Sequence, residues 1–334
     1  MKNSRKSCKA NRISRLYLVG FLFVALTALT GLALGSSMLS HTELMGAFTS
    51  PESVAGRILL YVRLPRVAAC LICGGALAVS GGVIQNVLAN KLASPGIIGV
   101  NSGAGLAVTL CAAMGIYGGW ILSLSSFAGA FLAVLIISLG AKRWGASRGT
   151  LILMGVAMNS FLGGISDAVI TLDTDAGLMS NDFKVGDFSA VTYNKLIPAL
   201  IITAVTLILL LTLSNELDLL TLGEENARGL GLNTGMMRIL FLLTAALLAG
   251  CAVSIAGLLS FVGLIVPHVI RKLGGSASRH LIPLCALFGG GFVCLCDTVA
   301  RTAFSPYEIP VGIIMAFIGA PFFIFILVRR SKDA

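Results

Sequence analysis

Eight long stretches of this chain contain no Asp, Glu, Lys or Arg: Leu16–Ser40, Val67–Asn90, Leu92–Ala141, Gly149–Ser166, Leu196–Asn215, Ile239–Ile270, Leu281–Cys296 and Ile309–Val328. A helix that crosses the hydrocarbon layer needs about 20 mostly apolar residues. Lipid also requires every backbone N–H and C=O to be satisfied within the segment, so these stretches must be helices. Leu92–Ala141 is long enough for two spans, with a turn at Tyr117-Gly118-Gly119. Ile239–Ile270 holds two short ones with a break near Gly257. The chain is therefore expected to be all-α and polytopic, with about ten transmembrane helices. Composition excludes the soluble alternative. Only 11% of the 334 residues are charged and the mean hydropathy is +0.96, whereas a soluble domain carries about 25% charged residues.

Orientation follows from Lys and Arg, which accumulate on the cytoplasmic side of membrane proteins. In a ten-span arrangement the N-terminal tail and the even-numbered loops share one side. That side receives Lys2, Arg5, Lys6, Lys9, Arg12 and Arg15, then Lys91, Lys142, Arg143, Arg148, Arg228, Arg238, Arg271, Lys272, Arg279, Arg329, Arg330 and Lys332. The other side keeps Arg57, Arg63, Arg66, Lys184, Lys195 and Arg301. Both termini are thus expected in the cytoplasm. The domain reading is a basic cytoplasmic tail over 1–15, one membrane domain over 16–330, and a tail over 331–334. The net charge of +10 is explained by this asymmetry and needs no nucleic-acid partner. The first uncharged run, 25 residues long, exceeds the h-region of a signal peptide, so it reads as a retained first helix.

Eight cysteines are present, and all but Cys8 fall in apolar runs. Cys70 and Cys73 have CxxC spacing, but on a helix they read as small packing residues. No disulfide and no metal site is expected.

A few residues resist a pure packing account. Arg63-Leu64-Pro65-Arg66, with Arg57 upstream, puts basic charge at the mouth of the second span on the side that should be poor in it. These side chains either snorkel to headgroups or receive an acidic partner; Pro65 suits a helix start. Asp297 follows sixteen uncharged residues, and Arg301 lies four residues on, hence on the same helix face. The pair is either structural or part of a gate. Pro267-His268 is expected to break its helix locally. The segment Leu219–Gly231 reads as one short amphipathic helix, with Glu224 and Arg228 as an i,i+4 pair and Gly229 or Gly231 as its end. Its leucines suit either a partner's groove or the bilayer surface. The chain has no Gly-x-x-x-x-Gly-Lys-Ser/Thr loop, no HExxH and no GxSxG. If ATP drives it, another polypeptide holds the nucleotide.

Several segments together resemble the FecCD-type permeases, the membrane subunits of importers for iron–siderophore complexes, haem and cobalamin. They are Arg63–Arg66, Gly74–Gln85, Leu92–Val100 with Gly103-Ala104-Gly105, Leu222–Gly231, Phe261–Arg271, Asp297–Arg301, Glu308–Gly312 and Ile318–Phe322. One departure is Asn90-Lys91-Leu92-Ala93, where the family has Asn-Pro-Leu-Ala. The resemblance implies a type II ABC importer permease architecture in the bacterial cytoplasmic (inner) membrane. It implies a dimer with an identical or a second permease, two ATP-binding subunits below and an extracytoplasmic substrate-binding protein above. No cofactor is expected in this chain; ATP and Mg belong to the partner ATPase, and the chain itself is not an enzyme. The family's docking arginines fall on Arg57, Arg63, Arg66 and Arg301. Its coupling helix falls on Leu222, Gly223, Glu224, Glu225, Ala227, Arg228, Gly229 and Leu230. Asn159 and Ser160 are candidates for the translocation path, and Pro267, His268 and Asp297 for structure or gating. The expected cargo is an iron–siderophore, with haem or cobalamin as alternatives; an ion-coupled secondary transporter is the alternative of a different class.

Overall fold

The computed structural model of the chain describes residues 2–36, 46, 51–144 and 147–332, with the side chains of all but 2–10, 326–327 and 329–332. His41, Cys8's side chain and the end of the expected 331–334 tail lie outside the described residues. Helices run over Lys2–Ala33 (α1), Val54–Val87 (α2), Val100–Ala113 (α3), Gly119–Arg143 (α4), Arg148–Leu172 (α5), Thr174–Val185 (α6), Tyr193–Thr212 (α7), Ser214–Thr221 (α8), Glu224–Gly229 (α9), Thr234–Ala256 (α10), Val262–Leu273 (α11), Ser278–Thr302 (α12) and Val311–Lys332 (α13).

Seven of these helices are long and apolar enough to cross a membrane: α1 through Asn11–Ala33, α2, α4, α5, α7, α10 and α12. With α3, α11 and α13 they make the ten that the uncharged runs predict. The two doubled runs divide where expected, at Tyr117-Gly118 and at Gly257. The short helices have a physical reason. At a rise of 1.5 Å per residue, α3 and α11 are about 21 and 18 Å long, less than the ~30 Å hydrocarbon layer. Irregular backbone supplies the rest: the 3-10 turn Pro95–Ile98 before α3, and Leu258–Phe261 before α11. Such backbone survives at membrane depth only inside protein, and Pro95, Ile98 and Leu259 are buried.

Helix α2 is the axis of the bundle. Its residues from Val67 to Leu88 are almost all buried, with α12, α10 and α11 packed along it. Small residues allow that. A methyl group on Gly74 would meet the carbonyl of Gly289 in α12, and one on Gly289 would meet the carbonyl of Gly74. The two backbones are in contact, which in lipid substitutes van der Waals packing for a hydrophobic driving force. Helix α1 covers the far side of α12, while α3 pairs with α4 and carries α5 and α6.

Helix α1 starts at Lys2, and its span-length apolar part runs over Asn11–Ala33. Two local expectations are corrected. Pro65 does not start a helix. Helix α2 begins at Val54, capped by the Ser53 hydroxyl, and passes through a π-helical stretch at Ile58–Arg63 just before Pro65. The wider π turn accommodates a residue that lacks an N–H. Pro267 does not break α11 either; the break lies six to ten residues earlier, at Gly257–Phe261. The missing family proline at Lys91 is compensated by an Asx turn: Asn90 Oδ1 accepts the Leu92 N–H at 2.9 Å.

Candidate functional site

Three places bring the candidate residues together. The first is a charge cluster where α2, α12 and the end of α1 meet. Asp297 and Arg301 share a face of α12, as their spacing predicts, and Arg301 Nε lies 3.0 Å from Asp297 Oδ2. The same carboxylate accepts Arg66 Nε at 3.1 Å and a terminal Arg66 nitrogen at 3.0 Å. Arg66 also reaches Glu308 at 2.7 Å and Asp187 at 3.6 Å. Arg63 donates to the carbonyls of Leu32 and Ala33 at 2.8 and 2.7 Å, and Arg301 donates to that of Gly31 at 3.1 Å. Those carbonyls end α1, where backbone acceptors have no helical partner and the helix dipole favours a cation.

This geometry corrects the reading of the arginines as an outward-facing set. Arg63, Arg66 and Arg301 are 2%, 4% and 3% exposed; their charges neutralise Asp297 and cap α1 inside the chain. Arg57 alone of the four is exposed. Glu308, which opens the Glu308–Gly312 segment of the resemblance, and Asp187 join the cluster. Both stand in loops, where the sequence assigns an acid no partner. Burial alone would raise the Glu308 carboxyl. Hydrogen bonds from Ser36 and Arg66, with the charges of Arg66 and Arg301, outweigh that and hold it below the usual carboxylate range.

The second place is the α8–α9 segment at the opposite end of the bundle. Two short helices replace the single one expected. They are separated at Leu222-Gly223, where Gly223 has φ +102°, a conformation that glycine adopts without steric cost. Glu224 pairs with Arg238 of α10, not with Arg228. Arg228 Nε instead donates to Thr234 Oγ1 at 3.1 Å. The leucines divide as well. Leu217 and Leu220 are buried against the bundle, whereas Leu222 and Leu230 are 55% and 63% exposed. Arg148, at the start of α5, donates to the Leu220 carbonyl at 2.6 Å. Asp218 accepts both the backbone N–H and the hydroxyl of Ser278, at 3.0 and 2.6 Å. It thereby caps α12 from a different helix, a contact that no sequence spacing reveals.

The third place is a cavity of about 240 Å³ at the depth where the irregular turns meet. Ser94, Gly96 and Asn101 line it from the α3 side, and Ser260, Phe261 and Gly263 from the α11 side. Its walls are neutral. Asn159 of α5 stands behind the first turn rather than open to the cavity. Its amide donates to the Gly96 carbonyl at 2.9 Å, and its oxygen accepts the Ser102 hydroxyl at 2.6 Å. Ser160 is exposed on α5. His268 is half-buried on α11, and its Nε2 has no hydrogen-bond partner. The seven described cysteines are free and buried.

Among the described residues, long apolar helices and the irregular turns at Pro95–Ile98 and Leu258–Phe261 surround a neutral cavity. The family model described as the FecCD transport family matches residues 22–329. The chain belongs to the FecCD transport family. It is 35% identical over 330 residues to the hemin transport system permease protein HmuU of Yersinia pestis, covering 96% of this chain and 98% of that one. It is 36% identical over 282 residues to the vitamin B12 import system permease protein BtuC of Yersinia enterocolitica, covering 83% and 84%. A solved inward-facing ABC transporter assigned to the metal-chelate type superposes with a TM-score of 0.83 at 29% identity, over 95% of this chain and 99% of that one. The chain is therefore the permease subunit of an ABC importer of the metal-chelate, haem and cobalamin type. It is a multi-pass membrane protein and is not itself the ATPase. Family membership also excludes an ion-coupled secondary transporter.

Proposed function

We propose that this permease imports an iron–siderophore complex across the bacterial inner membrane, as a dimer with an identical or a second permease. Two separate ATPase subunits, which bind the ATP and Mg, dock on the α8–α9 segment, and an extracytoplasmic binding protein delivers the cargo at the Arg66 end. Both termini then lie in the cytoplasm. The observation that carries the ATPase contact is the exposure of Leu222 and Leu230 on a segment otherwise tied to the bundle through Leu217, Leu220 and Glu224–Arg238. Two large apolar side chains held out on a polar surface need a covering partner. A groove on the ATPase supplies one, and burying each leucine there contributes about 1.5–3 kcal/mol. At the other end Arg57 is the exposed one of the four arginines and is available to an acidic binding protein. Asn159 supports the path by holding the Gly96 turn at the cavity, and Asp297 serves structure.

The neutral cavity wall suits a cargo recognised mainly by its binding protein. A second reading, haem or cobalamin, is favoured by the cargoes for which HmuU and BtuC are named. The test is reconstitution of the permease with its cognate ATPase and binding protein. Uptake of a radiolabelled ferric hydroxamate, of hemin and of cyanocobalamin is then measured with and without ATP. ATP-dependent uptake of the ferric complex alone is expected; uptake of only hemin or cobalamin moves the assignment to that cargo. Leu222→Asp with Leu230→Asp is expected to abolish co-purification of the ATPase. Undiminished co-purification removes α8–α9 from that role.

A further inference from the structure

Helix α8 is joined to the wall of the central cavity by an unbroken chain of polar contacts. Asp218 of α8 accepts the Ser278 hydroxyl at 2.6 Å. That hydroxyl oxygen accepts the Asn86 amide of α2 at 3.1 Å. Asn86 Oδ1 accepts Arg271 of α11 at 2.9 Å, and the same guanidinium donates to Gln85 Oε1. Gln85 Nε2 then donates to the carbonyl of Gly263 at 3.1 Å, and Gly263 lines the cavity.

The last link has a covalent cause. In an α-helix the N–H of residue 267 would take the carbonyl of residue 263. Residue 267 is proline and has no N–H. The Gly263 carbonyl is thereby released from α11, and Gln85 is the group that takes it. Ser278 is fully buried, and Asn86, Gln85 and Arg271 leave little room for water to substitute. A buried polar network of this kind is costly to break at one point, so its members move together.

We propose that Asp218, Ser278, Asn86, Arg271 and Gln85 are positioning residues that carry a displacement of the α8–α9 segment to the Gly263 end of α11 at the cavity. Proline at 267 is what opens the acceptor on which the relay ends. This rests on the reading of α8–α9 as the ATPase contact. It assigns a route through the membrane domain that the exposed leucines alone do not define. Coupling between distant sites requires an element that both ends bias; here that element is α11 with its irregular approach at Leu258–Phe261.

Ser278→Ala tests it cleanly. The substitution cuts the link to Asn86 but leaves the Ser278 backbone N–H on Asp218, so the α12 cap survives. Asn86→Ala cuts the next link independently. Each is made in the full permease–ATPase complex, in proteoliposomes, with Ser260→Cys as reporter on the exposed cavity wall. N-ethylmaleimide labelling above the chain lacking that cysteine is read without nucleotide and with ATP–vanadate. In the parent, nucleotide is expected to change the labelling rate at least about fivefold. In Ser278→Ala and Asn86→Ala the change is expected to shrink to less than about twofold, while ATP hydrolysis and assembly stay near the parent's and the melting midpoint falls by only a few degrees. A nucleotide response equal to the parent's in both variants overturns the relay and leaves the ATPase contact standing. No nucleotide response in the parent removes the contact reading and the relay with it. Because hydrolysis and stability are read in parallel, a loss of fold alone would show as a fall in both and would count against the relay.

Discussion

Replacing Asp297 by leucine would strip the carboxylate from two buried guanidinium groups while keeping the branched heavy-atom skeleton of the side chain. The two arginines are not equally exposed to the loss. Arg66 keeps Glu308 at 2.7 Å and Asp187 at 3.6 Å. Arg301, 3% exposed, keeps the Gly31 carbonyl at 3.1 Å and the more distant charge of Glu308. Removing one partner of a buried ion pair typically costs about 3–5 kcal/mol, because the remaining charge is uncompensated. Leucine leaves no cavity, but its methyl groups are bulkier than carboxylate oxygens, so overpacking at this buried position adds to that cost. At roughly 2–4 °C per kcal/mol for chains of 150–250 residues, the melting midpoint should fall by on the order of 10 °C. The protein carries its own reporter for this. Its seven described cysteines are free and buried, so on a Cys8→Ser background a thiol-reactive dye in mild detergent lights up as the bundle opens. A second change, Arg301→Met on the Asp297→Leu background, should restore part of the loss, with a coupling of about 1–3 kcal/mol. A midpoint for Asp297→Leu within about 2 °C of the native protein, or no recovery on adding Arg301→Met, would refute the account of Arg301 as a charge that depends on Asp297.

A methyl group at Gly81 would collide with the Gly263 carbonyl, whereas one at Gly163 meets nothing within 4 Å. Gly81→Ala is therefore expected to lower the midpoint by an overpacking cost of about 1–3 kcal/mol, and Gly163→Ala to leave it within error in the same assay. The Glu308 carboxyl is depressed in the folded protein, so its contribution is present above the ordinary carboxylate value of 4.5 and fades as pH falls through its lower folded value. The stability difference between the native protein and Glu308→Gln should then be constant from pH 8 to about 6 and close progressively in acid, since carboxylates titrate near pH 4. A difference that grows on acidification would reverse the sign of the argument. With the side chain of Glu308 32% exposed, solvent screening keeps the whole effect small, about 1 kcal/mol or less.

Much of this protein is determined by the positions of its few charges. The uncharged runs give ten helices in their order, because lipid admits no other spanning structure for them. Even the doubled runs divide at the glycines that interrupt them, Gly118 and Gly257. The Asp297–Arg301 pair is legible too, since i,i+4 spacing is a property of one helix and needs no tertiary information. Contacts between helices are another matter. That Arg66 points inward to Asp297, 231 residues away, is decided by how α2 lies against α12. The same basic motif would otherwise serve a docking surface. Glu224 chooses Arg238 over its i,i+4 neighbour Arg228 because Gly223 ends one helix and starts another, turning the acid toward α10. The Asp218–Ser278 cap and the Gln85–Gly263 bond join residues 60 and 178 positions apart. Sequence periodicity is local, and the groups left over at helix ends and at Pro267 find partners only once the bundle has packed.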